Sequence, residues 1–244
     1  MPTPSQPPRG PVPPRGPQPP RGGGGGVGGG GGPTPHRPGV GAPTKPGGAG
    51  GQARRLPWFL ARARTLLLAP RKEWAAINAE FTNTAAIYRS YVIALAAIGP
   101  IAATAGTVVF GVRSTLFGTY EMSLLDALTS GVLTFGFNLL GVYVLALVID
   151  FLAPTFGGQQ NPVQAFKAAA YGSTPYWIGG AFAILPKLTP LGILLALYSV
   201  RMFSVGLPLV MKAHGEKATG YALATMVAGV LVALFSAVIT SLVL

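Results

Sequence analysis

The sequence has no cysteine and very few histidine or acidic residues. Its 244 residues include no Cys, two His, six Asp or Glu and 18 Lys or Arg. The absence of Cys excludes disulfides, thiol nucleophiles and thiolate metal sites. His36 and His214 are isolated from each other and from acidic clusters, so neither a zinc site nor a His-based catalytic site is indicated. We therefore predict no metal, no cofactor and no enzymatic activity.

Long uncharged apolar runs fill the last two-thirds of the chain. The sequence is 50% hydrophobic and only 10% charged, with a mean hydropathy of +0.48, whereas soluble domains carry about 25% charged residues. A hydrocarbon core ~30 Å thick requires roughly 20 apolar helical residues. Four runs contain no charged residue, and another is interrupted only by Arg201. The runs predict an all-α polytopic integral membrane protein with five transmembrane helices, at about residues 90–112, 127–149, 168–186, 189–211 and 218–244.

Basic residues are concentrated before the first of these spans. Of the net charge of +12, residues 1–87 carry +9, and residues 88–244, the predicted membrane domain, carry +3. By the positive-inside rule, this asymmetry places the N-terminus in the cytoplasm. Five spans then place the C-terminus at or near the outer face.

Residues 1–53 are predicted to be a disordered cytoplasmic tail rich in Pro, Gly and Arg. Pro-Pro-Arg-Gly begins at Pro7, Pro13 and Pro19, and a nearly pure Gly stretch follows. This composition buries too little apolar surface to offset an ordering cost of ~1–2 kcal/mol per residue. The tail is either a solvated extension or an arm that binds a Pro-recognising module, RNA or anionic lipid. Because no aromatic residue is interleaved to stack on bases, we predict no nucleic-acid partner.

Residues 54–87 are predicted to form short amphipathic helices at the membrane interface. The segments 57–69 and 71–81 each place their apolar residues on one helical face, with basic residues nearby. Trp beside Arg or Lys is typical of an anchor that lies in the plane of the interface. The candidate interfacial anchors are Trp58, Arg62, Arg64 and Trp74. The alternative is a pair of helices that pack on the cytoplasmic ends of the spans.

Three polar residues within the apolar runs or at their ends are candidate intramembrane site residues. Arg201 lies near the middle of the fourth predicted span, Asn138 lies in the second, and Asp150 lies at the cytoplasmic end of the second. A charge in mid-span costs about 2.5 kcal/mol or more on insertion scales, which makes it a functional candidate. We expect Arg201 to face the bundle interior. Its acceptor is then Asp150, Asn138 or a backbone carbonyl freed by Pro208.

Prolines and small residues within the runs predict how the helices pack. Pro100, Pro175 and Pro208 should kink their spans, and neighbouring helices can satisfy the freed carbonyls. Small residues four apart, such as Gly192 and Ala196, are typical of membrane helices that approach closely.

Short motifs occur in a fixed order over roughly residues 55–244. They include Pro-Arg-Lys-Glu-Trp from Pro70, Tyr-Val-Ile-Ala-Leu-Ala-Ala-Ile-Gly-Pro-Ile from Tyr91, Asp-Phe-Leu-Ala-Pro-Thr-Phe-Gly-Gly from Asp150, Ala-Tyr-Gly-Ser-Thr-Pro-Tyr-Trp from Ala170, and Gly-Leu-Pro-Leu-Val-Met-Lys from Gly206. In this order and spacing they resemble the bacterial form of the Yip family (Ypt-interacting proteins). The resemblance implies a five-span helical domain with a cytoplasmic N-terminus. Eukaryotic members engage Rab-type GTPases and shape membranes. Arg201 departs from the family, where that stretch is usually apolar or aromatic.

The leading functional hypothesis is a non-enzymatic membrane protein that acts through helix packing and partner contacts, as a membrane organiser or scaffold. Its predicted partners are the lipid bilayer and membrane proteins, including copies of itself, and its predicted location is the bacterial inner membrane. The alternative is a small transporter or channel that uses Arg201. Against it, five spans do not divide into a simple inverted repeat, and acidic residues that could relay protons are scarce. An intramembrane enzyme would need a catalytic constellation that the sequence lacks.

Overall fold

The structure, a computed structural model, describes residues 56–114, 118–120 and 122–243. The predicted disordered tail, residues 1–53, lies outside these residues. The described α-helices are α1 (Trp58–Leu68), α2 (Pro70–Ala79), α3 (Thr84–Ile87), α4 (Ile93–Ala96), α5 (Ile98–Phe110), α6 (Leu124–Leu152), α7 (Pro162–Gly172), α8 (Thr174–Gly179), α9 (Thr189–Leu197), α10 (Ser199–Val210) and α11 (Ala218–Val243). A short antiparallel hairpin of β1 (Val112–Ser114) and β2 (Gly118–Tyr120) joins α5 to α6. The predicted helical class is confirmed, with this hairpin as an addition.

Four helical segments of the described chain are long and apolar enough to cross a membrane. They are Thr84–Phe110, Leu124–Phe156, Pro186–Val210 and Gly215–Val243, and they correspond to the first, second, fourth and fifth predicted spans. Many large apolar side chains on these helices are exposed, including Val132 on α6 and Phe235 on α11. Apolar surface of this extent suits a hydrocarbon environment rather than water.

The third predicted span, residues 168–186, is not among these four segments. The chain there forms α7, α8 and the 3-10 turns Gly180–Ile184 and Pro186–Leu188, with a break at Ser173. Residues 165–172 of α7 are all buried, because α7 packs between α6 and α10. Protein rather than lipid surrounds this helix, so it can contain Lys167 and several small or polar residues that lower its hydropathy.

Local sequence signals set where several helices begin. Pro70 occupies the first turn of α2, where a backbone N–H would have no partner within the helix, so the missing N–H of proline costs no hydrogen bond. The side chains of Asn83, Ser123 and Asn161 accept hydrogen bonds from the backbone N–H three residues later and so cap α3, α6 and α7. These caps satisfy N–H groups that have no partner within the helix.

Side chains of the bundle satisfy carbonyls that two of the prolines leave without a donor. Pro100 cannot donate to the carbonyl of Ala96, and the Asn138 side-chain amide donates to that oxygen at 3.2 Å instead. Pro175 likewise cannot donate to the carbonyl of Tyr171, four residues before it, and the Thr174 hydroxyl donates to that oxygen at 2.7 Å instead. The predicted compensation for proline kinks is therefore present at both positions.

Two glycines bring α8 and α9 into close contact. A Cβ on Gly179 would lie 2.6 Å from the carbonyl oxygen of Gly192, and a Cβ on Gly192 would lie 2.6 Å from the carbonyl oxygen of Gly179. Any larger residue at either position would force the helices apart. Gly192 therefore makes the close approach that its spacing with Ala196 predicted.

Candidate functional site

The helices α1 and α2 form an N-terminal hairpin (residues 58–79) that packs on the bundle through Trp74. The indole is fully buried and lies edge-on to Tyr171 of α7, with 6.4 Å between ring centroids and 87° between planes. It also contacts Gly206 of α10, where a Cβ would lie 2.5 Å from Trp74 Cε2. Trp74 thus fills a slot between α7 and α10 that exists because residue 206 has no side chain.

Arg62 links the two helices of the N-terminal hairpin to each other and to α7. Its Nε lies 3.2 Å from Glu73 Oε1, and its Nη2 donates to Glu80 Oε1 at 2.5 Å. The guanidinium also lies over the Tyr171 ring, 4.9 Å from the centroid. Burial lowers the pKa of Arg62, but the hydrogen bond to Glu80 and the neighbouring negative charges outweigh it, so the net shift is upward. The cation is therefore held firmly inside a half-buried cluster.

Lys167 of α7 holds the C-terminal end of α2. Its ammonium group is buried and donates to the carbonyl oxygens of Ile77 at 2.9 Å and Glu80 at 2.8 Å. The last carbonyls of a helix have no intrahelical donor, and they carry the negative end of the helix dipole. Burial lowers the pKa of the ammonium, an effect that the Glu80 carboxylate opposes. A cation at this point satisfies both carbonyls and fixes α2 against α7.

A hydroxyl pair ties the membrane-spanning segment Thr84–Phe110 to α8. Tyr91 and Thr174 are both buried, and their hydroxyl oxygens lie 2.8 Å apart in a hydrogen bond. The Tyr91 ring also packs against Tyr171, with centroids 4.7 Å apart, and lies 6.2 Å from the ring of Trp58. The N-terminal hairpin, the segment Thr84–Phe110 and α7 therefore share one aromatic and polar cluster.

The prediction that all four candidate anchors face the membrane interface is wrong for two of them. Trp74 is a core residue, and Arg62 forms ion pairs within the protein instead of extending to lipid phosphates. The physical reason is that the apolar stripe of each helix is buried against the bundle, as the alternative interpretation expected. Trp58 and Arg64 are exposed, and their contact with headgroups stays a prediction.

Arg201 is exposed on α10, so the expectation that it faces the bundle interior is wrong. Residues before and after it in the chain contact the N-terminal hairpin. The Tyr198 hydroxyl donates to the carbonyl of Leu67 at 3.3 Å, and Gly206 lies against Trp74. Arg201 is therefore level with the N-terminal hairpin along the bundle. At that level its long side chain can extend outward and needs no internal acceptor.

The structure does not bring the three predicted intramembrane residues together. Asp150 Oδ1 accepts the backbone N–H of Asn161 at 2.6 Å and so joins the end of α6 to the start of α7. Asn138 donates to the carbonyl freed by Pro100. In the described part of the chain, no hydrogen bond or ion pair joins either residue to Arg201.

Sequence reasoning missed the residues that form the actual cluster, above all Glu73, Glu80 and Lys167. A signal was present, because the two acids are the only ones among residues 1–87, and both lie in or next to α2. Acids in a strongly basic region are candidates for ion pairs. The partner of each could not be read from the sequence.

The helices, the apolar outer surface and the N-terminal hairpin define a polytopic helical membrane protein. Residues 64–237 match the family model of the Yip1 domain, and the chain belongs to that family. The match covers α2 to α10 entirely, most of α11 and the part of α1 that contains Leu66.

Curated relatives are bacterial membrane proteins. The inner membrane protein YohC of Escherichia coli (strain K12) is 26% identical over 166 residues, which cover 67% of this chain and 85% of that protein. The protein of the same name from Escherichia coli O6:H1 is similar to the same extent. No solved structure matches the chain.

Proposed function

We propose that this chain is a non-enzymatic membrane-organising scaffold that presents its N-terminal hairpin as a fixed contact surface. The observation that supports this proposal is that the hairpin has two different faces. One face is locked to the bundle by Trp74, Arg62 and Lys167. The other face carries exposed apolar and basic side chains.

The exposed face has the composition of a surface that contacts headgroups or a partner helix. Leu68 is 73% exposed at the end of α1, and Phe81, just after α2, is fully exposed. Basic side chains are exposed beside them at Arg64, Arg71 and Lys72. Apolar residues insert into the outer part of a leaflet while basic residues attract anionic lipids. Because the inner face is fixed, the outer face meets the membrane or a partner at a constant angle.

The proposal includes five crossings, a cytoplasmic N-terminus and a location in the inner membrane. The crossing that completes the five is the third predicted span, residues 168–186, whose first part, in α7, is buried in the bundle. As helix, these residues would extend about 28 Å, close to the ~30 Å of a hydrocarbon core. The +9 charge of residues 1–87 supports the orientation, and the printed name of YohC supports the location.

The alternative function, a transporter or channel that uses Arg201, has no support from that residue. Arg201 is exposed, and it does not line the cavity between α9 and α11 or the neighbouring cavity between α5 and α9. A guanidinium outside the cavities cannot select a substrate within them.

Site-specific photo-crosslinking in cells tests the proposed contact surface. A benzophenone side chain is placed at Leu68, at Phe81 or, as the matched control, at Leu125, an exposed apolar residue at the start of α6. We expect discrete protein adducts from the first two positions and mainly lipid adducts from the control. Repeating the experiment without residues 1–55 separates the tail from the hairpin. Identical adduct patterns at all three positions would contradict the proposal.

A further inference from the structure

A long cavity lies between α9 and α11, with α6, α8 and α10 as its other walls. Its volume is about 630 Å³, which is within the range of roughly 300–1,000 Å³ for small-molecule sites. The residues that line it along α11 extend from Thr225 to Ser241, about 24 Å of helix. The cavity is therefore elongated and follows the direction of the spans.

Two hydroxyl groups in the cavity wall have no hydrogen-bond partner among the described residues. Ser199 is 2% exposed and Thr225 is 0% exposed, and both line the cavity. In a helix such hydroxyls usually donate to the carbonyl four residues earlier. Ser236, in the same wall, does so to Val232 at 2.7 Å. An unmet buried hydroxyl is costly, so Ser199 and Thr225 are available to donate to a bound molecule.

The cavity opens toward the surface that faces the bilayer. Ile193 and Leu197 of α9 and Val230 of α11 line it and are also exposed. All three are apolar and belong to helices whose exposed surface is mostly apolar. A ligand would therefore enter between α9 and α11 from hydrocarbon rather than from water.

The remaining lining excludes a charged ligand. No Asp, Glu, Lys, Arg or His occurs among the described residues that line the cavity. A charged group there would lose its hydration without gaining a counter-charge. The chemistry of the wall suits a long apolar body with one uncharged acceptor, such as an ester carbonyl or an alcohol.

We propose that this cavity binds a neutral, elongated membrane lipid whose uncharged polar end accepts hydrogen bonds from Ser199 and Thr225. The apolar chain lies between α6 and α11. The site is separate from the N-terminal hairpin and does not depend on the scaffold function proposed above. Lipid binding here would make the bundle responsive to the composition of the membrane around it.

Photolabelling of the full chain in phosphatidylcholine nanodiscs tests the site. The probe is a monoacylglycerol with a diazirine in its acyl chain, and its matched control is lysophosphatidic acid with the same chain. Labelled peptides are mapped by mass spectrometry. We expect the neutral probe to label α9, α10 and α11 at cavity positions, and the charged probe to label them at least about ten-fold less, because it cannot be desolvated there.

Variants assign the binding to the two hydroxyls. Thr225→Val and Ser199→Ala should each reduce cavity labelling by about 2- to 12-fold, the range for one net hydrogen bond. Thr225→Ser keeps the hydroxyl and should retain labelling. Ser236→Ala, whose hydroxyl is already bonded within its helix, should change labelling less than two-fold.

Three outcomes would overturn the proposal. One is equal cavity labelling by the neutral and the charged probe. Another is labelling that is insensitive to both Thr225→Val and Ser199→Ala. The third is normal labelling of outer residues such as Leu125 with none in the cavity, which would mean that the neutral lipid does not enter it. Size-exclusion chromatography confirms that each variant is folded, and Thr225→Ser controls for any loss of structure at position 225.

Discussion

The contact between Trp74 and Gly206 predicts that Gly206→Ala destabilises the docking of α2 in the native protein but stabilises it when Trp74 is also replaced by Ala. In the native protein, a Cβ at position 206 would lie 2.5 Å from Trp74 Cε2, closer than real Cβ atoms come to other atoms. Gly206→Ala should therefore push α2 away from α10. In a Trp74→Ala background the same methyl group enters empty space, so the substitution should stabilise the docked hairpin.

The magnitudes follow from two opposing effects. Overpacking a buried contact costs about 1–3 kcal/mol, whereas Gly→Ala within a helix contributes about 0.5–1 kcal/mol of stability. Gly206→Ala alone should thus weaken the docking of α2 by up to about 2 kcal/mol. In the Trp74→Ala background it should strengthen docking by about 0.5–1 kcal/mol. Trp74→Ala itself should weaken docking by about 3–5 kcal/mol.

Hydrogen exchange of the α2 amides, followed by mass spectrometry in nanodiscs, measures the free energy of opening the N-terminal hairpin. Gly136→Ala is the matched control, because a Cβ at that position on α6 meets nothing within 4 Å. It should leave α2 exchange unchanged in both backgrounds. The reasoning fails if Gly206→Ala has the same effect with and without Trp74.

Three further predictions separate buried contacts from exposed ones. Lys167→Met should weaken α2 docking by on the order of 3 kcal/mol, because two carbonyls lose a charged donor. The control Lys72→Met, on the exposed side of α2, should leave α2 exchange unchanged, and equal effects of the two substitutions would contradict the role of Lys167. Tyr91→Phe should lower the stability of the bundle by about 1 kcal/mol through the lost bond to Thr174, and an unchanged thermal midpoint would argue against that bond. Arg201→Leu should change stability by less than about 0.5 kcal/mol because the side chain is exposed, and a large loss would point to an internal contact.

The position of the N-terminal helices was predictable, but the direction of their apolar faces was not. Periodicity identified both helices, and α1 and α2 begin and end within about two residues of the predicted segments. An apolar stripe, however, is equally suited to lipid and to a protein interior, because both are apolar. Trp74 was assigned to the lipid interface because Arg and Lys lie beside it, and it lies in the core.

The ion pairs and hydrogen bonds of the cluster could not be predicted, because their partners are distant in the sequence. Arg62 lies 18 residues from Glu80, and Lys167 lies 90 residues from the carbonyl of Ile77 that it binds. Helical spacing relates only residues within about one turn. Contacts between separate helices depend on how the whole bundle is arranged, and one sequence alone does not determine that.

The third predicted span, which begins in α7, is the span that hydropathy identifies least well. It also supplies the residues on which the docking of the N-terminal hairpin depends most. Hydropathy measures the cost of exposing a residue to lipid, and residues 165–172 are not exposed. A helix enclosed by α6 and α10 can therefore carry Lys167, Tyr171 and several small residues without that cost. The same residues bind the N-terminal hairpin through the carbonyl contacts of Lys167 and the stacking of Arg62 on Tyr171. The low hydropathy of this segment and its role in docking the hairpin thus have one physical cause, its central position in the bundle.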